Sequence, residues 1–432
     1  MDDGVTRPTA GDEGGMAEPR PSPQSPKNRP RLRRFLAVAG PGIVVMLADS
    51  DAGGMITAAQ SGAEWGYRLL PLQFLLVPLL YVVQELSVRL GVVSRKGQAR
   101  LIRENFGTGW AVVATTALLV ASLGALLTEF SGLAGVSALF HVPVPLTMTL
   151  IVAALSVMAY FGSYLTVERI AIAIGAFELV FLWVALEAKP DLTAIMRDAI
   201  DVPASEPRYF YLFAANIGAA VMPWMIFYQQ SAAVEKKLDL DDLPAARLDT
   251  ALGAILTQLV TAAVLVGTAA TIGAERGGAS LTSVGEIAGA LTPFLGTAAG
   301  TIIFALGITG SAIVATIVVT LAAARTIADM LGFDHLLERK PREAPWFYAS
   351  YTAMLIAAAV FVTSGIDLVN LSVAVQVMNA LFLPLVLGFL FLLARRLPRP
   401  YRLEGIYACT VAMLLACTGL VALFTAIAGI GG

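Results

Sequence analysis

The chain contains the stretch Gly40-Pro-Gly-Ile-Val-Val-Met-Leu-Ala-Asp-Ser-Asp-Ala-Gly-Gly-Met-Ile-Thr-Ala-Ala-Gln-Ser-Gly-Ala63, which is as long and apolar as a membrane span. Its middle does not suit a continuous helix. Asp49 and Asp51 would lie at bilayer depth, where a charge costs roughly 2.5–3.5 kcal/mol and usually marks a function. Gly53 and Gly54 follow, and each weakens a helix by about 1 kcal/mol relative to Ala. The stretch therefore predicts a helix break in which a carboxylate and freed carbonyls form half of a cation site.

The composition predicts a polytopic all-α membrane protein. Of the 432 residues 57% are hydrophobic and 14% are charged, against about 25% charged in soluble domains. Residues 1–34 are polar and Pro-rich and predict a disordered cytoplasmic tail, and 35–430 form one transmembrane domain. Eleven runs are long enough to span a bilayer, and they cover residues 36–62, 69–93, 111–139, 144–163, 167–187, 209–233, 249–273, 297–325, 345–364, 368–394 and 404–430.

The distribution of positive charge tests this set of spans, because cytoplasmic loops are enriched in Lys and Arg. With the N-terminus in the cytoplasm and the C-terminus outside, all but five of the 29 Lys and Arg residues fall on the cytoplasmic side. The five exceptions are Arg68, Lys189, Arg197, Arg208 and Arg276. This asymmetry supports eleven spans in the cytoplasmic membrane with that orientation.

Spans 1–5 (about 36–187) and 6–10 (about 209–394) then form two blocks of opposite orientation, and 404–430 is an extra helix. Such inverted repeats are typical of secondary transporters, whose sites lie between broken helices in matching positions. Span 6 contains Pro223 in mid-span, which removes a backbone donor and frees the Ala219 carbonyl. We therefore expect broken helices 1 and 6.

Several motifs resemble the NRAMP family of divalent metal transporters. They are Gly-Pro-Gly at 40–42, Gln-X-Gly-X-X-X-Gly-Tyr from Gln60 to Tyr67, Leu-Ser-Val-Arg-Leu-Gly at 86–91 and Gly-Ala-Ala-Val-Met-Pro at 218–223. The similarity covers most of residues 36–395. It implies the amino-acid/polyamine/cation superfamily fold, a 5+5 inverted repeat with broken helices 1 and 6, and a divalent metal ion as the transported substrate.

The resemblance also implies a ligand set. Asp51 and Met222 match the family's side-chain ligands, and Ala48 and Ala219 match its carbonyl ligands. Gly54 stands where the family has an amide ligand, so that Gly53 and Gly54 supply the break and extra room. The remaining pathway or gate candidates are Asp49, Pro223, Trp224 and Gln229 (both in place of histidines), Glu129 as the remaining carboxylate of span 3, and the span-10 pair Gln376 and Asn379.

Some of these residues also have simpler interpretations. Asp51 can act as a helix N-cap, Met222 can fill the core and Trp224 can be a wall of the cavity. Asp49 is a candidate for lining the cavity. Each interpretation is compatible with a position beside the break.

The identity of the ion is constrained from two sides. A roomy site with Asp51 and carbonyls suits a partly hydrated Mg²⁺, as in the NRAMP-related magnesium transporters that this sequence resembles in span 1 and at Trp224. The Met222 thioether instead favours softer ions such as Mn²⁺ or Fe²⁺. The two histidines, His141 and His335, lie outside bilayer depth, so a His-based proton relay is not expected; Glu129 and Asp51 remain as possible proton carriers.

The sequence thus predicts a Mg²⁺/Mn²⁺ secondary transporter without proton coupling, working as a monomer in membrane lipid. The alternatives are a proton-coupled Mn²⁺/Fe²⁺ importer of the main family type and an ion-coupled amino-acid symporter on the same fold. An intramembrane Asp would repel an amino-acid carboxylate and disfavours the symporter. No nucleophile–base pair, phosphate loop or His cluster suggests an enzyme, and we expect neither a resident cofactor nor a nucleic-acid partner.

Overall fold

The structure is a computed structural model that describes residues 41–161, 173, 175–273, 280–291, 297–331, 345–364 and 367–431. The predicted tail 1–34 lies outside these residues. The described chain is helical, with a 3₁₀ segment Ala176–Leu179 before α7 and a π segment Ala269–Gly273 after α11. The helices are α1 Pro41–Asp49, α2 Ala52–Trp65, α3 Leu70–Ser94, α4 Gln98–Phe106, α5 Thr108–Leu139, α6 Val144–Phe161, α7 Val180–Glu187, α8 Leu192–Asp198, α9 Pro207–Ala220, α10 Pro223–Glu235, α11 Leu243–Thr268, α12 Val284–Leu291, α13 Thr297–Leu331, α14 Pro345–Val362, α15 Leu368–Ala394 and α16 Gly405–Ile430.

Eight helices of the described chain are long and apolar enough to cross a membrane, and a ninth span results if α1 and α2 are counted as one bent span. The α9–α10 pair forms one of the eight, Pro207–Glu235. Helix α6 is apolar but shorter, and predicted span 5 is described as helix only over Ala176–Glu187. Each of the other predicted spans coincides with a helix to within a few residues.

Proline and capping residues explain where several helices begin. Helices α9, α10 and α11 each carry a proline at one of their first two positions, where the missing N–H would be unpaired in any case. Asp367 caps α15, and its side chain accepts from the N–H groups of Val369 and Asn370. At the other end of α2, Gly66 adopts φ +59°, a conformation that glycine adopts without steric cost.

Helix packing brings the two interrupted spans together. Helices α2 and α9 both pack against α15, whereas α1 and α10 pack against each other and against α13. The crossing of α9 and α15 is close because Gly218 has no side chain: a Cβ there would lie 1.9 Å from the Gln376 carbonyl oxygen. The fold therefore places the ends of α1, α2, α9 and α10 in one buried region, with α15 alongside.

Candidate metal site

The first break lies between α1 and α2, whose axes differ by 48°. Asp51 is the N-cap of α2, in an extended conformation, and its Oδ1 accepts from the Gly54 N–H. The Ala52 N–H, which would reach the Ala48 carbonyl in a continuous helix, donates instead to Glu129 Oε2 at 3.1 Å. The break thus frees a carbonyl on one side and gathers carboxylates at a helix N-terminus on the other, where negative charge is stabilised.

The second break lies at Val221 and Met222, which are both extended. Pro223 opens α10 and has no N–H, so the Ala219 carbonyl loses its helical donor. The Met222 N–H donates to the Met225 sulfur at 3.3 Å rather than to the Gly218 carbonyl. The Gly218 and Ala219 carbonyls at the end of α9 therefore lack the N–H donors that a continuous helix would supply.

The two breaks face each other across Gly54. A Cβ on Gly54 would lie 3.0 Å from Asp51 Oδ1, 3.5 Å from the Asp49 carbonyl oxygen and 3.9 Å from Ala219 Cβ. Asp51 is fully buried, and among the described atoms its Oδ2 has no hydrogen-bond partner. A buried carboxylate oxygen without a partner costs free energy unless a cation or a proton compensates it. A side chain at position 54 would therefore contact a carboxylate, a carbonyl of α1 and the end of α9.

Span 10 closes the side of the first break. A Cβ on Gly53 would lie 2.6 Å from Gln376 Nε2 and 2.7 Å from Thr128 Oγ1. Gln376 Oε1 accepts from the Asn379 side-chain amide at 2.9 Å, while its own Nε2 is unpaired within the described chain. The predicted polar pair of span 10 is therefore intact, and Gln376 faces the backbone of the break.

Further polar side chains lie near the first break, and no sequence motif indicated them. Ser50 Oγ lies 2.8 Å from Thr257 Oγ1, and Thr257 also donates to the Met46 carbonyl. Glu178 of span 5 is fully buried, and neither of its carboxylate oxygens is hydrogen-bonded within the described residues. The only available signal was one acidic residue in an otherwise apolar run.

Polar contacts link the helices on the predicted outer side of the breaks. Glu64 of α2 forms an ion pair with Arg208 of α9 at 2.8 Å, and Gln60 donates to Ser280 at 2.6 Å. Deeper in, Asn216 Nδ2 donates to Ser61 at 2.7 Å. These contacts hold α2 against α9 and against the segment that precedes α12.

Polar contacts also link the helices on the predicted cytoplasmic side. The Gly42 N–H donates to Asp249 Oδ2 at 2.7 Å and thereby fixes the start of α1 on α11. Gln229 Nε2 makes a 3.4 Å contact with Thr250 on the same helix, so Gln229 takes part in this inner set of contacts. Arg325 and Glu235 form a buried ion pair between α13 and α10.

The predicted site residues thus fall into three places. The first place is the first break with the end of α9, where the structure has Asp51, Gly53, Gly54, Ala48, Asp49, Ala219, Glu129, Gln376 and Asn379. The second place is the start of α10, which is formed by Met222, Pro223 and Trp224. The third place lies farther along α10 and holds Gln229. Within the described residues, no three His, Cys, Asp or Glu side chains are grouped to hold a metal. A cation here would depend on one carboxylate and backbone carbonyls.

Sequence comparisons identify the family and several relatives of this chain. A family model described as natural resistance-associated macrophage protein-like matches residues 42–428. The divalent metal cation transporter MntH 1 of Pseudomonas aeruginosa is 30% identical over 262 residues, covering 57% of this chain and 58% of that protein. The metal transporter Nramp4 of Arabidopsis thaliana is 27% identical over 222 residues, covering 50% of this chain and 43% of that protein. The matched region thus spans about half of these relatives' length.

Solved structures show the same fold. The manganese transporter of Eremococcus coleocola, in complex with an aromatic bis-isothiourea compound, superposes with a TM-score of 0.73 at 19% identity, covering 95% of this chain and 90% of that one. MhsT in complex with L-phenylalanine superposes with a TM-score of 0.58 at 11% identity, covering 93% of this chain and 98% of that one. The chain therefore shares its fold with both of these proteins.

Proposed function

The chain belongs to the natural resistance-associated macrophage protein-like family, and from this premise we propose that it moves divalent metal ions across the cytoplasmic membrane by alternating access. The observation that carries the proposal is the buried Asp51, whose Oδ2 is not hydrogen-bonded within the described residues, beside Gly54 and the end of α9. We assign no catalysed reaction and no resident cofactor to the chain, since the metal ion is the substrate.

The proposed ligands are Asp51 as the charged ligand and the carbonyls of Ala48 and Ala219; Met222 supplies a soft ligand only when its sulfur is released from the Trp224 indole. The Ala48 and Ala219 carbonyls are supported by the diverted Ala52 N–H and by Pro223, respectively. Glu129 supports the first break by accepting from Ala52. Gln376 and Asn379 form the polar wall of the site.

The proposed topology has eleven spans arranged as two inverted repeats plus a final helix, with the N-terminus in the cytoplasm. It is supported by the eight long helices and the bent pair, by α6, and by the helical segment of span 5. Alternating access requires that the contacts on the two sides of the breaks open in turn. The Glu64–Arg208 pair and the Gly42–Asp249 contact are the corresponding outer and inner contacts.

We propose Mg²⁺ and Mn²⁺ as the ions, carried without obligatory proton coupling by a monomer. Oxygen ligands in a roomy site suit Mg²⁺, which gives up its water reluctantly and keeps part of its hydration shell. Mn²⁺ is compatible with the same oxygen ligands and also with a thioether.

The second candidate is a proton-coupled Mn²⁺/Fe²⁺ importer, which is favoured by the position of Glu129 directly against the break. Buried carboxylates are the groups that carry protons through membrane spans when histidine is absent. An amino-acid symporter stays the third candidate, supported by the fold alone.

The test is uptake into proteoliposomes, with Mg²⁺ and Mn²⁺ indicators and an internal pH dye read together. Saturable flux of both ions without acidification is the expected result. Mn²⁺ flux that excludes Mg²⁺ and acidifies the lumen would support the second candidate. Saturable flux of neither ion would contradict both metal-transport proposals.

A further inference from the structure

The Met222 sulfur accepts a hydrogen bond from the Trp224 indole at the start of α10. The indole Nε1–H donates to Met222 Sδ at 3.2 Å, and both side chains are fully buried. The Met222 N–H donates to Met225 Sδ at 3.3 Å, and the Met225 N–H donates to the Met222 carbonyl at 3.2 Å. Hydrogen bonds thus link the two methionines and the tryptophan into one unit, the sulfur cap.

A thioether sulfur bound in this way is a poor metal ligand. Sulfur is a weak acceptor, and in the sulfur cap the Trp224 indole N–H already occupies it. A cation that approached this sulfur would meet the positive end of that N–H group and the positive N-terminus of α10. For the Met222 side chain to turn its sulfur toward a metal, the indole hydrogen bond has to break.

The indole also has a reason to stay where it is. Trp224 lies in the interior, where an unpaired N–H costs about 1–3 kcal/mol, and Met222 Sδ is the acceptor that satisfies it. The indole hydrogen bond therefore stabilises the rotamer of Met222 that keeps its sulfur occupied. By contrast, Asp51 Oδ2 has no competing donor within the described chain.

We propose that Trp224 is a specificity-determining residue, whose indole N–H withholds the Met222 sulfur so that the site offers oxygen ligands and favours hard divalent cations. The inference rests on the proposed function and deepens it. The preference for a hard ion such as Mg²⁺ over a soft ion such as Cd²⁺ then arises because one hydrogen bond occupies the soft ligand, and not because a soft ligand is absent.

The experiment measures the binding of Cd²⁺ and Mg²⁺ to detergent-purified protein by calorimetry, together with uptake of both ions in proteoliposomes. Trp224→Phe keeps an aromatic ring and removes the N–H. Because a net hydrogen bond contributes about 0.5–1.5 kcal/mol, we expect the Cd²⁺ to Mg²⁺ affinity ratio to rise about two- to tenfold. Mg²⁺ affinity itself should change little.

A second set of variants tests whether the effect of Trp224→Phe depends on the Met222 sulfur. In Met222→Leu, which keeps the volume but not the lone pairs, adding Trp224→Phe should leave the affinity ratio unchanged. Met222→Leu alone should change Cd²⁺ affinity less than about threefold, since the sulfur is already occupied. Thermal unfolding of each variant shows whether it is folded.

Three results would overturn the inference. The first is an unchanged Cd²⁺ to Mg²⁺ affinity ratio in folded Trp224→Phe. The second is an equal rise of that ratio when Trp224→Phe is added to Met222→Leu, which would attribute the effect to the size of the ring. The third is a tenfold or larger loss of Cd²⁺ affinity in Met222→Leu alone, a result that does not depend on whether Trp224→Phe folds. A wild-type chain that binds and moves neither ion would overturn the proposed function and the inference with it.

Discussion

The two helix breaks are built from different chemistry. At the first break, carboxylates cap the helix that follows: Asp51 accepts from Gly54 and Glu129 accepts from Ala52. At the second break a sulfur atom is the acceptor, since Met225 Sδ accepts from the Met222 N–H. The first break also bends its span by 48°, whereas α9 and α10 are continuous enough to count as one span.

We propose that this difference separates charge from selectivity. Among the described residues at the two breaks, the carboxylates belong to the first break, while the second break carries backbone carbonyls and the Met222 sulfur that accepts from Trp224. Substitutions at the first break should therefore remove transport, and those at the second should change which ion is preferred. The predictions below test this division, from the largest expected effect to the smallest.

Asp51→Asn should abolish uptake of Mg²⁺ and Mn²⁺ alike, because it removes the charge of the proposed charged ligand. Losing a buried charged partner costs about 2–5 kcal/mol, which corresponds to roughly thirtyfold or more in affinity. Proteoliposome uptake measures the effect. Asp49→Asn is the matched control, and it should keep a clearly measurable flux; equal losses in the two variants would contradict the assignment of Asp51.

Glu129→Leu should reduce uptake about tenfold or more, because the Ala52 N–H at the first break loses its buried acceptor at a cost of about 1–3 kcal/mol. Glu129→Gln keeps an acceptor oxygen and removes the charge. If the side chain acts only as a cap, Gln should retain most of the flux; a loss as large as that of Leu, with a changed pH profile, would instead indicate proton transfer.

Gly218→Ala should destabilise the protein by about 1–3 kcal/mol, since its Cβ would overlap the Gln376 carbonyl oxygen on α15. The expected readout is a lower midpoint of thermal unfolding in detergent. Gly388→Ala on the same α15 has no atom within 4 Å of the new Cβ and should leave the midpoint unchanged or slightly higher. Equal midpoints for the two variants would argue against the close crossing of α9 and α15.

Gln229→Leu should change uptake by less than about threefold, the equivalent of one weak hydrogen bond. Its amide contacts Thr250 at 3.4 Å, away from both breaks. Half-saturating concentrations for Mg²⁺ and Mn²⁺ should both stay near wild-type values. A loss of uptake for only one of the two ions would place Gln229 on the ion's route and contradict the proposed division of roles between the breaks.

Much of the fold could be predicted from the sequence. Long apolar runs indicated the spans, because a bilayer of fixed thickness requires about 20 apolar residues for each crossing. Asp51 with Gly53 and Gly54 predicted the first break, and Pro223 predicted the second, because these residues act on the backbone within one helical turn. The freed carbonyl of Ala219 follows from the same local rule.

The pairings that give the site its properties depended on tertiary structure. Ala52 and Glu129 are 77 residues apart, and Gly42 and Asp249 are 207 apart, so no local pattern could show that they are bonded. The hydrogen bond from Trp224 to the Met222 sulfur joins residues that are close in sequence, yet it depends on side-chain rotamers that packing selects. The sequence by itself determined where the chain crosses the membrane and where its helices break, since these follow from hydrophobicity and backbone chemistry. Which buried groups meet at the breaks was decided only when the helices packed, since each unpaired polar group there must find a partner from another part of the chain.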